Sequence, residues 1–221
     1  MTQHDKFQAD PEIYQGQFGE FTITPSDRLE VKIYRSGLMV AAVCFAISTT
    51  LVVWPNTTEG FTNLLTPLYA CFCLGLGVSL VMIHIYLAIL HRLLQLFWFI
   101  GTAVAVWIAL TSSDPLAIAI YNDPQALFGI GFTFAALTGI YFKEAFCFNR
   151  FETKLLTPLV PALILGHLLG LLSPYAESLL LGIWAVLFMV FALRKAFQAI
   201  PDDIGDKSVF AYLKEKRSAQ A

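Results

Sequence analysis

The chain has 221 residues, a net charge of −2, 57% hydrophobic and only 14% charged residues, and a mean hydropathy of +0.67. A soluble domain carries about 25% charged residues, so this chain lacks the polar surface to cover a water-borne globule, and a bilayer is its expected solvent. Near-neutral charge gives no basis for binding nucleic acid or for steering charged ligands from a distance.

The polar N-terminus, MTQHDKFQADPEIYQ, lacks the charged-then-apolar layout of a signal peptide. Phe21 and Ile23 alternate with Glu20, Thr22 and Thr24, which suggests a short extended segment. Thr24-Pro25-Ser26-Asp27 then reads as a capping box with proline at the first helical position. It opens a helix through Arg35 and closes an N-terminal segment over residues 1–35.

Six charge-free stretches follow, bounded by residues 35 and 59, 59 and 92, 92 and 114, 123 and 143, 154 and 177, and 177 and 194. Each approaches or exceeds the roughly 17–25 residues a helix needs to cross about 30 Å of hydrocarbon. The expectation is an all-α polytopic membrane protein with six transmembrane helices over residues 36–194. Residues 115–122 are too few to cross and read as a connector. The loops at 54–63, 111–125 and 173–177 hold Glu59, Asp114, Asp123 and Glu177 but no lysine or arginine. The basic residues lie instead before the first span, after the last, and in the turns at Arg92 and at 143–154. Lysine and arginine are retained on the cytoplasmic side, so both termini are expected in the cytoplasm. The tail over residues 195–221, with Asp202, Asp203 and Asp206 and then Lys214, Lys216 and Arg217, reads as a solvated and partly mobile end.

Small residues recur every four positions in three spans: Cys71, Gly75 and Ser79; Gly131, Ala135 and Gly139; and Ala162, Gly166 and Gly170. Such stripes bring membrane helices close, which predicts spans two, four and five at the centre of the bundle. LLTPL occurs at both 64–68 and 155–159. The echo would fit a three-plus-three inverted repeat.

His167, in ALILGHLLGL, lies about 18 Å along its span when counted from Leu155, and an ionisable group near mid-depth is a functional candidate. It can ligate a haem iron or a chlorophyll magnesium, relay a proton, or stay neutral and hydrogen-bond a neighbouring helix. His84, about 12 Å from Arg92 on the same count, is the second cofactor candidate. The four cysteines lack metal-site spacing, and no metal centre is expected. Nor does the sequence hold a phosphate loop, a nucleophile elbow or a zinc-protease motif, so nothing argues for an enzyme.

In the turn at 141–154 five rings alternate with charges. It reads as an interfacial amphipathic helix or as a partner-docking surface built from Lys143, Glu144, Phe146, Phe148, Arg150 and Phe151. The run KEAFCFNRFETKLLTPL at 143–159, with the Gly166-His167 pair, resembles a family of small integral membrane proteins of cyanobacteria and plastids, catalogued as a domain of unknown function. That resemblance implies a photosynthetic organism and a thylakoid or plasma membrane location, and it brings no catalytic residue. It favours a non-enzymatic accessory protein that helps assemble or stabilise a pigment–protein complex. The partners would be the lipid bilayer and membrane subunits of a photosystem, with chlorophyll or haem as cofactor. Two other readings stand beside it: a small-solute or ion carrier, from the repeat, Pro158 and Pro161, and a haem-bearing redox protein, from His84 and His167.

Overall fold

The computed structural model of the protein describes residues 12–53 and 59–218. The polar start of the chain up to residue 11 and residues 54–58 of the first loop lie outside the described residues. The extended segment is an antiparallel hairpin, β1 (Ile13–Gly16) and β2 (Gly19–Thr22), with Ile13 opposite Thr22. Helices follow: α1 (Pro25–Val53), α2 (Glu59–Met82), α3 (Ala88–Thr111), α4 (Leu116–Asn122), α5 (Pro124–Phe148), α6 (Phe151–Leu168), α7 (Pro174–Ala196), α8 (Ile200–Ile204) and α9 (Lys207–Ser218).

Local chemistry sets the helix ends. The Asp27 amide donates to Thr24 Oγ1 at 3.2 Å and the Thr24 amide donates to the Asp27 carboxylate at 2.7 Å, the expected reciprocal box. Asp123 and Ser173 cap α5 and α7, each followed by a proline. Asn149 takes φ 53° and stops α5, a conformation asparagine tolerates. Gly170, at φ +65°, stops α6, and the Leu171 amide reaches back to the Gly166 carbonyl at 2.8 Å.

The long helices form a ring in chain order, α1, α2, α3, α5, α6, α7, and α7 closes it against α1. Leu38, Phe72, Leu76, Leu137, Ile140, Tyr141, Leu156, Val160 and Phe188 fill its centre. Among the described residues, five helices are long and apolar enough to cross a membrane: Pro25–Val53, Asn63–Met82, Ala88–Thr111, Pro124–Phe148 and Pro174–Ala196. The remaining long helix, α6, has only 18 residues, about 27 Å of rise, and carries Glu152, Lys154, Pro158 and Pro161.

Helix contacts follow the expected stripes only in part: of the first, Gly75 and Ser79 meet Gly37 of α1. On α1 against α2, a Cβ on Gly37 would stand 2.5 Å from the Gly75 carbonyl oxygen. On α3, Gly101 meets the Thr133 backbone of α5. Gly139 faces Leu94 and Gly166 faces Leu172, whereas a Cβ on Gly131 would meet nothing closer than Ile164 at 3.9 Å, Ala135 and Ala162 are exposed, and Gly170 lies beyond its helix. A four-residue step turns about 40° past a full helical turn, so a stripe of three drifts away from any one neighbour.

The tail is ordered rather than loose. Ile204 packs with Ile23 and Val31, and the Phe18 and Tyr212 rings stack with centroids 4.1 Å apart. The Gln17 amide donates to Asp206 Oδ2 at 2.6 Å. That bond and those from Ser208 hold the Asp206 carboxyl below the usual range. Hairpin and tail therefore share one end of the bundle.

Candidate functional site

At that shared end the ring's helix termini deliver charges into a buried cluster. Lys195, in the last turn of α7, is fully buried, with Nζ 2.6 Å from Glu144 Oε2 and also against Asp203 Oδ1. Asp203, from α8, holds Arg35 of α1 at 2.6 Å, and Arg35 donates further to the Gln198 and Ala199 carbonyls. Lys143 lies 2.9 Å from Glu144 Oε1, and the Tyr34 hydroxyl donates to the same oxygen at 3.4 Å. On α6, Glu152 accepts from Arg194 at 2.8 Å, and Arg150 donates to the Gln198 side chain. Beneath them the Phe148 ring lies 4.3 Å from Lys195 Nζ, 5.2 Å from Lys143 Nζ and 5.7 Å from Arg150 Cζ. A ring face attracts cations at such distances.

Buried charges are tolerated when paired and hydrogen-bonded. Here the pairing joins α1, α5, α6, α7 and α8. Arg35, Tyr34, Lys195, Gln198 and Asp203 were not legible as site residues, because partners as far as 168 positions apart leave no spacing signal. The only hint was that Arg194 and Lys195 end the last apolar stretch together.

The expected docking residues divide. Lys143, Glu144, Phe148 and Arg150 turn inward to this cluster, Glu144 completely. Phe146 and Phe151 point outward, 84% and 70% exposed, and Phe142, 53% exposed, stacks near Phe146. The elbow is no separate helix: α5 ends and α6 begins around Asn149 and Arg150.

The two candidate histidines lie at opposite ends and are not brought together. His167 sits in the last turn of α6 rather than at mid-depth, since α6 ends at Leu168. Its Nδ1 is 2.7 Å from Glu177 Oε1 of α7, and its Nε2 is 3.3 Å from the Tyr121 carbonyl of α4. The Tyr121 hydroxyl donates to the other Glu177 oxygen at 3.0 Å, and that bond raises the phenol's pKa. His84 follows α2 at the charged end, 3.4 Å from Glu30, and burial lowers its pKa.

Residues 78–212 match a family described as "Uncharacterized integral membrane protein (DUF2301)". The chain belongs to this family. The match takes in the elbow, both candidate histidines, Lys195 and Asp203, and leaves out α1 with its Arg35. Membership and the apolar helices agree that this is an integral membrane protein. No curated protein and no solved structure matches the chain.

Proposed function

We propose that the protein is a non-enzymatic accessory component of a photosynthetic membrane, docking to membrane subunits of a pigment–protein complex through the rings Phe142, Phe146 and Phe151. The observation that carries the docking surface is their exposure on a base made rigid by the Lys195–Glu144–Asp203–Arg35 cluster. Rings held on a fixed scaffold lose little entropy on binding, and aromatic residues are enriched among those that dominate interface energies. The choice of a photosynthetic membrane rests on the resemblance of the 143–159 run. In this reading α6 is a sixth, short span and the charged end faces the cytoplasm, because the basic residues gather there.

Each buried ring contributes about 2 kcal/mol, close to thirtyfold in affinity. Replacing Phe142, Phe146 and Phe151 together with serine is expected to strip photosystem subunits from the gently purified protein, while its membrane yield and topology stay normal. Undiminished copurification of those subunits would sink the docking surface. A reporter active only outside the cytoplasm, fused to the C-terminus, is expected to stay silent.

A further inference from the structure

We propose that Asp27, Glu30 and His84 form a site for one divalent transition-metal ion of the zinc or manganese kind, at the charged end of the bundle. Asp27 and Glu30 stand three residues apart at the start of α1, so both carboxylates leave the same helix face. His84 enters from the turn between α2 and α3. One donor atom from each residue lies within 4.8 Å of the other two. His84 Nε2 stops 3.4 Å from Glu30 Oε2. That is long for a hydrogen bond, but two ligands each about 2.0–2.1 Å from a tetrahedral ion are separated by roughly 3.4 Å.

The donor set narrows the ion. Carboxylates alone would suit calcium or magnesium, whereas an added imidazole favours the borderline transition ions. Three protein ligands leave positions for water. The site is also reachable, because the Glu30 side chain is 41% exposed.

Lys207 of α9 places Nζ 2.7 Å from Asp27 Oδ2 and donates to the Thr22 carbonyl. Lys143 also acts on His84 but is paired with Glu144 at 2.9 Å, so Lys207 is the one ammonium bonded to the two carboxylates, and a dication offsets the remaining negative charge. The same carboxylate caps α1 through Thr24, so monodentate ligation by Asp27 leaves one oxygen for the cap and for Lys207. An ion there ties the start of α1 to the α2–α3 turn, next to the docked tail.

The test uses the full chain without a histidine tag, purified in detergent and stripped with chelator, with Co2+ as probe. Titration is expected to give a visible d–d band that saturates at one equivalent, is displaced by Zn2+ and is unmoved by millimolar Mg2+. His84→Ala and Glu30→Gln are each expected to weaken Co2+ binding at least about tenfold, while His167→Gln at the far end leaves it unchanged. Should His84→Ala fail to fold, Glu30→Gln at a half-exposed position decides alone. Absence of a saturable band in the wild type, or wild-type affinity in Glu30→Gln, would overturn the site.

Discussion

Lys195 has lost all contact with solvent and depends on Glu144 and Asp203 for compensation. Removing one partner of a buried ion pair costs about 3–5 kcal/mol, because the other charge stays in a low dielectric. Glu144 keeps Lys143 and Asp203 keeps Arg35, so the lower end of that range applies. Lys195→Met is therefore expected to lower the melting temperature in detergent clearly, and adding Glu144→Gln to recover part of the loss. Arg194→Ala next door is the contrast: its side chain is 56% exposed, and such pairs contribute at most about 1 kcal/mol. A Lys195→Met protein that melts like Arg194→Ala would show that the cluster stabilises little. Little of this was readable beforehand. The sequence marks Lys195 as basic and near a span end, but not that it folds back into the bundle. His167 was misplaced in depth for a related reason. Counting from flanking charges measures an apolar stretch, whereas the helix inside it stops where Gly170 turns left-handed.

For the helices, the sequence reported existence better than contact. The capping box at Thr24 formed as expected, and the charge-free stretches all became helices, five of them long and apolar enough to cross a membrane. Pairing was less legible, because small residues occur on lipid-facing and helix-facing sides alike: Ala135 and Ala162 look outward, while Gly37 and Gly75 meet backbone to backbone. A side chain at Gly75 would stand 2.6 Å from the Gly37 carbonyl oxygen, and backbone cannot swing aside as a side chain does. Gly75→Val is therefore expected to separate α1 from α2, at a cost of about 1–3 kcal/mol for overpacking. Gly182→Ala, with nothing within 4 Å, is expected to be neutral. Comparing yield and thermal midpoint of the two variants checks this. Equal behaviour would mean that the α1–α2 contact is looser than the geometry implies.

At the scale of the molecule, the hairpin over residues 13–22 and the tail as far as residue 218 fold over one end of the ring, and Asp206 bonds across that contact. Its pKa is depressed by hydrogen bonds to the charged form, so Asp206's share of the contact is fully present above the ordinary aspartate pKa near 3.9 and is lost as pH falls through the lower native value, while the Ile204 and Tyr212 packing stays. The protection of the Gln17 amide, its exchange measured against the intrinsic rate at each pH, is expected to fall on acidification below about pH 4. Asp206→Asn should give fast exchange already at pH 7. That the chain is a helical integral membrane protein was visible in composition and charge spacing, whereas the family was visible only in the resemblance of the 143–159 run. The closure of the ring was not, since no local pattern says that the last long helix returns to the first. That closure has a consequence for biosynthesis. Arg35 leaves the ribosome 168 residues before its partner Asp203, a wait of about 10–30 s at ordinary elongation rates. Throughout it, α1 sits beside a vacancy that only the end of the chain fills. A nascent chain truncated before residue 195 exposes an uncompensated guanidinium and an open helix face together.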